Sequence, residues 1–393
     1  MDIFNLVGEK TEYDKKETLE KSKPKSWCKS VSAFANGIGG MLIFGIKDDD
    51  EIIGLINAEK DSEIISEQIK QHIEPIPTFN LRFKEHEGKK LIVLDVYSGN
   101  QTPYYYTKDN AKEAYYRIGN QSVKATPAKL NELVLKGSRE SYDNLKSKYD
   151  FENMSFTKLK STYKKRTNRQ FEESDLMSFG IIDETGNLTN AGALLADDSP
   201  IRHSRLFCTR WNGLDKAPGT IDSIDDKEYI GGLINLLQYG TDFVTNNSKK
   251  MWKKIVDGRI EMPDYPERAV LESIVNALIH RDYLEIGSEV HIDIFDDRME
   301  IYSPGGMCDG TKVQERDLSK VPSKRRNPII ADIFNRLRYM DRRGSGFKKI
   351  INDYEIQPIY QESMKPEFTS DNDSFLLVLK NLNYKKTAIK KRR

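Results

Sequence analysis

From Pro266 to Tyr283 the apolar residues recur at helical spacing, with Ala269, Val270, Ile274, Ala277 and Leu278 on one side. The spacing predicts an amphipathic helix over residues 267–280. Pro266 suits its first turn, where a missing N–H costs nothing. Glu272, Asn276 and His280 fall at i, i+4 and i+8, so they stack in one polar line between apolar neighbours. The period then changes to two. Val290, Ile292 and Ile294 point one way, and Glu289, His291 and Asp293 the other. Asp296-Asp297 turns the chain and residues 299–302 return. That pattern predicts an antiparallel hairpin with one apolar face, on which the helix packs as an α/β sandwich. Ser303-Pro304-Gly305-Gly306 sits at the strand end, Gly344-Ser345-Gly346 precedes a helix over 347–354, and 375–379 is a last strand.

The first third reads as an α+β domain. A helical pattern over 27–36 ends at Gly37, and Gly39-Gly40 leads into a buried strand over 41–46. A turn at Asp48-Asp49-Asp50 returns a second strand over 51–55. Residues 62–73 are helical in pattern. Strands over 79–83 and 91–97 form a hairpin across Glu87-Gly88, and 115–119 is a further strand. Between the two ends, residues 138–170 are charged and helical in pattern, with Lys158, Lys160, Lys164, Lys165, Arg166 and Arg169 as the most basic internal run. Such a run is either a solvated face or a polyanion contact. Residues 176–198 read as helix, turn and short helix, a rhythm shared with winged helices but without a distinct recognition helix. A strand over 201–211, a long helix over 231–244 and a further helix or strand over 249–259 follow.

Composition narrows the reading. A chain of 393 residues accommodates two or three domains. With 62 Lys+Arg against 61 Asp+Glu, bulk charge argues for no partner, and any basic surface must be local. Cys28, Cys208 and Cys308 have neither zinc spacing nor a disulfide framework. No apolar run is long enough to span a bilayer and no signal peptide is present, so the expectation is a cytoplasmic protein without a membrane partner.

A carboxylate within so apolar a helix needs a reason, because an unpaired buried charge is costly. Metal and phosphate supply one: Glu272 can orient or deprotonate water, and the amide oxygen of Asn276 can hold a hard cation. A satisfied polar cluster in the core is the alternative. Glycines before a helix let N–H groups approach phosphate, which brings in Gly344 and Gly346. In the first domain, tyrosines at 104–106, 115 and 116 can stack on bases, with Arg117 or Lys124 on the backbone; strand alternation lets at most half of them reach a ligand.

These residues resemble known families. Glu272 and Asn276 are similar to the E-x-x-x-N box of the GHKL ATPases. The strings NALIHRDY, IYSPGG, RRNPIIADIF and DRRGSGFKKI, in that order, resemble the divergent GHKL-like, RecG-related module of bacterial AlbA_2 proteins. The resemblance implies an ATP site with Mg²⁺ or Mn²⁺, built from Glu272, Asn276, Gly305, Gly306, Arg326, Asn327, Gly344 and Gly346, with Asn276 on the metal. The Asp that reads adenine in GHKL proteins is missing from the Gly305-Gly306 turn, which bears on base selectivity. SAFANGIGGMLIFGIKDDDEIIGL and YYRIGNQSVKA resemble the Schlafen AlbA_2 domain, described as nucleic-acid-binding.

Some Schlafen relatives are metal-dependent nucleases. Their pattern implies Glu9, Asp14 and Asp48 as metal-holding catalytic carboxylates with Lys16 beside them. Asp14 replaces the usual Glu, one methylene shorter, and Lys15 an aromatic. The alternative is that Asp48 begins a turn and that Glu9 and Asp14 are solvated charges.

The expected architecture is an AlbA_2 domain over 1–137, a helical linker with a winged-helix rhythm over 138–200, a GHKL-like nucleotide-binding domain over 201–382, and a basic tail over 383–393. The expected function is binding, with or without cleavage, of RNA or DNA under nucleotide control. The alternative is a non-enzymatic DNA-binding transcriptional regulator with a degenerate ATPase. A homodimer is expected by analogy with GHKL proteins.

Overall fold

The computed structural model describes residues 11–47, 49–108, 111–216, 221–321, 324–340 and 346–384. Glu9, Asp48, Gly344 and the basic tail beyond 384 lie outside the described residues. The chain forms two compact units, Met1–Glu140 and Ser141–Arg393.

The first unit is built from β1 (Tyr13–Lys16), α1 (Lys25–Asn36), β2 (Gly39–Phe44), α2 (Ala58–His72), β3 (Ile73–Glu74), β4 (Phe79–His86), β5 (Lys89–Tyr97), β6 (Tyr105–Lys108), β7 (Ala111–Ile118), β8 (Gln121–Lys124) and α3 (Pro127–Ser138). One sheet runs β1-β2-β5-β4, with β1 parallel to β2 and the rest antiparallel; the other runs β3-β6-β7-β8. Trp27, Val31 and Phe34 of α1 are fully buried among residues of both sheets. Its polar positions fasten it to the second sheet: Ser32 Oγ donates to the Tyr104 carbonyl at 2.7 Å, and Asn36 Nδ2 donates to the carbonyls of Tyr104 and Tyr115. The expected strand over 51–55 shrinks to a single bridge between Ile46 and Ile52. Ile53 and Gly54 instead both donate to the Gly45 carbonyl, and Gly45 has φ +104°, so the chain bends away before a ladder forms.

The second unit begins with three helices, α4 (Thr157–Thr167), α5 (Glu173–Ser178) and α6 (Asn190–Leu195). They are followed by β9 (Leu206–Trp211), β10 (Ser223–Tyr229), α7 (Leu233–Asn246), β11 (Lys250–Ile255), β12 (Gly258–Pro263), α8 (Glu267–Ile279), β13 (Val290–Ile294), β14 (Arg298–Pro304), α9 (Pro328–Arg336), α10 (Gly346–Glu355), β15 (Glu367–Ser370) and β16 (Ser374–Lys380). Its sheet runs β10-β9-β13-β14-β16-β15, with β9 and β13 parallel. The alternation in β13 lands as expected: Val290, Ile292 and Ile294 are buried, and α7 and α8 pack on that apolar face. Residues 250–263 form a hairpin, not a helix. Phe156, Leu159, Phe171, Leu176, Phe179 and Leu194, from before β9, share one core with the sheet. Among the described residues no helix is long and apolar enough to cross a membrane.

Candidate nucleotide and nucleic-acid sites

Helix α8 is held at both ends. At its start the Ala269 amide donates to Asp353 Oδ2 of α10 at 2.9 Å. At its end Asn327 Nδ2 donates to the carbonyls of Ile279 (2.8 Å) and Arg281 (2.9 Å), and Arg326 donates to the His280 carbonyl. So fixed, the polar line of α8 faces a cavity of about 130 Å³. Glu272, Asn276 and His280 form one wall. Gly305, Gly306, Cys308 and Asp309 come from the turn after β14, Lys324 from the rim, and Gly346 from the start of α10. Ile301, Phe347, Phe368, Phe375 and Leu377 make an apolar floor.

The glycines are there because the backbone comes so close. A Cβ on Gly346 would stand 3.1 Å from both Glu272 Oε1 and Asn276 Nδ2. Gly305 has φ +95°, and a Cβ there would meet the Arg326 guanidinium at 2.2 Å. Glu272 is 7% exposed, with Lys349 Nζ 3.9 Å from Oε2. Burial, then the charges of Arg326 and Arg325, push the His280 imidazole down to about 4, so it faces the cavity neutral at pH 7. It also caps α8, its amide donating to the Asn276 carbonyl.

Arg326 and Asn327 do not line this cavity. Asn327 is fully buried, and Arg326 ties the His280 carbonyl to that of Gly306 (3.0 Å). Both hold the cavity's walls in place from behind. Asp309 and Lys349 escaped the sequence reading. Asp309 lies three residues beyond Gly306, in the same turn. Burial works to raise its carboxyl, but hydrogen bonds from Thr311 and Arg316 outweigh that and hold it below the usual carboxylate value. Its Asp309-Gly310 turn signature was the available clue.

In the first unit, Asp14 is 4% exposed and not solvated. It accepts from Ser30 Oγ at 2.6 Å and Lys16 Nζ at 2.7 Å, and Arg117 Nη1 stands 4.0 Å away. The Arg117 guanidinium donates to Ser122 Oγ and lies over the Phe34 ring, its side chain only 6% exposed. Lys124 is exposed and donates to Glu113. Hydrogen bonds from Lys25, Tyr115 and Lys124 hold the Glu113 carboxyl down to about 2. Tyr104, Tyr106 and Tyr115 are buried; Tyr105 and Tyr116 are half-buried, under Lys112 and Lys129. Among the described residues no three His, Cys, Asp or Glu gather as a metal site.

Comparison with known proteins follows the same division. Residues 9–126 match the family described as "Schlafen, AlbA_2". Residues 287–379 match that described as "Putative ATP-dependent DNA helicase recG C-terminal"; the polar line of α8 lies just before this segment. An uncharacterized ATP-binding protein of Ureaplasma parvum is 26% identical over 166 residues, covering 36% of this chain. The match spans about half of that relative's length (47%). A crystal structure of a Corynebacterium diphtheriae protein covers 94% of this chain and 75% of its own at TM-score 0.50 and 18% identity, a likeness of fold. The N-terminal domain of a RecG-related protein from Nitrosomonas europaea is 23% identical, covering 31% of this chain and 88% of that domain, at TM-score 0.24.

Proposed function

We propose that this chain, which joins a Schlafen AlbA_2 domain to a RecG-related ATPase-like module, is a nucleic-acid-binding protein under nucleotide control. The observation that carries the nucleotide half is the convergence of Glu272, Asn276, Gly346, Gly305 and Gly306 on one cavity. The apolar floor suits the flat face of a base. The enclosed volume is below the range that swallows a drug-sized ligand whole, so the base lodges inside and the phosphates lie at the rim with Lys324.

The donor set suits a divalent cation, since Glu272 and Asn276 offer hard oxygen ligands one turn apart, leaving phosphate oxygens to complete the shell. When bound, such a cation offsets phosphate charge. The chain's own groups orient: Asn276 fixes the phosphate end, Glu272 accepts a hydrogen bond from water, and neutral His280 offers a ring nitrogen. The similarity to an ATP-binding protein favours ATP.

For the first domain we take binding as the leading activity. Asp14 is buried and already engaged by Lys16 and Ser30, which speaks against it as an open metal ligand of a nuclease centre. Metal-dependent cleavage by Glu9, Asp14 and Asp48 remains a distinct reading, tested by Mn²⁺-dependent cutting of RNA with Asp14→Ala as control.

Calorimetric titration of the full chain with Mg-ATP tests the nucleotide half. Wild type is expected to bind, and Gly346→Val to bind at least roughly tenfold more weakly, about 1.4 kcal/mol, because its branches enter the space beside Glu272 and Asn276. Wild type that takes up neither ATP nor GTP, or a Gly346→Val protein of unchanged affinity, refutes the reading.

A further inference from the structure

Helix α4 is pinned at both ends by interactions that leave its charge unspent. At its start, the Asp197 carboxylate accepts from the amides of Thr157 (2.8 Å) and Lys158 (2.9 Å). On its inner side Leu159 and Thr162 are buried, and Tyr163 meets the rings of Phe171 and Phe179 edge-on. Near its end, Arg166 donates to the carbonyls of Leu337 (2.5 Å) and Arg338 (2.7 Å), and its guanidinium lies 4.0 Å from the Tyr339 ring centre.

Arg166 is thus structural. The other cations of this segment are not: among the described residues, Lys158, Lys160, Lys164, Lys165 and Arg169 take part in no ion pair. All but Lys158 are exposed, and residues 157–169 contain no acid. Lys158, Ser161 and Lys165 lie along one face and border a groove of about 350 Å³, whose far wall is Gln238, Thr241 and Asp242 of α7. Two helical turns separate the two lysines, about 10 Å.

We infer that this groove is a binding surface for the phosphate backbone of a nucleic acid, separate from the AlbA_2 domain and from the nucleotide cavity. Charge complementarity carries the assignment. Two unpaired lysines two turns apart on one face of a pinned helix, Lys158 and Lys165, with Asp242 the one acid among the lining residues, suit the phosphates of a polyanion. The outward positions of α4 offer no apolar side chain to sink into a lipid surface, which distinguishes it from a membrane-binding helix.

The groove and the cavity also share walls. Leu271 borders the groove and Glu272 the cavity; Tyr339 borders the groove and Met340 the cavity. The same turn of α8 and the same dipeptide therefore face both.

The test is fluorescence anisotropy of the full chain with labelled single-stranded DNA, duplex DNA and RNA, over a range of salt and without nucleotide. The variants are Lys158→Glu/Lys165→Glu and, as a matched charge control, Lys253→Glu/Lys312→Glu, with melting curves on all. The groove variant is expected to lose at least tenfold in affinity for one or more of the polymers. Its log–log salt slope should flatten by about 2, since each duplex phosphate that is no longer neutralised removes about 0.9; the control should keep both values. Unchanged affinity and slope in the groove variant overturns the inference. So does an equal loss in the control, or wild type that binds phosphatidylserine vesicles and no oligonucleotide. Mg-ATP titration of the groove variant separates this outcome from failure of the nucleotide site.

Discussion

Asn327→Ala is expected to unlock the end of α8 without touching any ligand. The Asn327 side chain is fully buried, and both groups near its nitrogen are carbonyl oxygens, at 2.8 and 2.9 Å. Among the described residues its Oδ1 has no partner, so turning the amide around would gain nothing and lose both bonds. Truncation leaves the Ile279 and Arg281 carbonyls buried without this donor. Each such loss costs about 1–3 kcal/mol. Some of that is recovered if a water enters the vacated space, so about 3 kcal/mol is expected in total. Asn327→Asp should be at least as harmful, because it presents an acceptor to two acceptors at nearly the same volume.

Equilibrium urea unfolding of the full chain measures this, with separate transitions fitted for the two units where they unfold apart. A loss under about 1 kcal/mol in Asn327→Ala, or an Asn327→Asp protein as stable as wild type, would refute the reasoning. Weakened nucleotide binding with unchanged stability would instead make Asn327 a ligand contact.

Gly306→Ala should lower the melting temperature and weaken nucleotide binding together, since its Cβ would stand 1.9 Å from the Asp371 backbone carbonyl oxygen and the turn must move; about 1–3 kcal/mol is expected from such overpacking. His280 should make the protein acid-sensitive. Its folded pKa of about 4 lies below the ordinary value of 6.5, so its contribution is complete above pH 6.5 and is lost as pH falls toward 4. By pH 5 the linkage reaches at most about 2 kcal/mol, less because part of the ring meets the cavity. Urea midpoints at pH 7.5 and 5 should fall further for wild type than for His280→Gln; parallel falls would remove the buried neutral imidazole from the account.

The parts of the site set by local periodicity were legible in the chain. Helical spacing put Glu272 and Asn276 on one line, and alternation placed the apolar face of β13. What depends on distant segments meeting was not legible. Among the described residues, the basic run at 158–169 divides into one structural arginine and five cations in no ion pair only once Leu337, Arg338 and Tyr339 arrive beside Arg166. Arg326-Asn327 sits in a motif of the resembled family, yet both side chains turn toward backbone carbonyls behind the cavity. The local sequence leaves Asp14 either a metal-holding carboxylate or a solvated charge. In the parallel pairing of β1 with β2 it faces Ser30 of α1 and becomes buried. A charge pattern cannot distinguish these outcomes, because the partner lies many residues away.

Asp143 sets how small a fragment of the second unit can be. Its carboxylate, fully buried and raised in pKa by that burial against hydrogen bonds from Ser141, Ile330 and Ile329, accepts from the Ile329 and Ile330 amides at 2.8 and 3.0 Å. The opening turn of α9 is thus closed by a residue 186 positions upstream. A graft of residues 287–379 alone, or a trimmed chain starting at β9, would leave those amides bare and strip Phe156, Leu159 and Phe179 from the interior. Recombination that keeps the unit alive must carry the chain from Ser141 onward as a single inheritance.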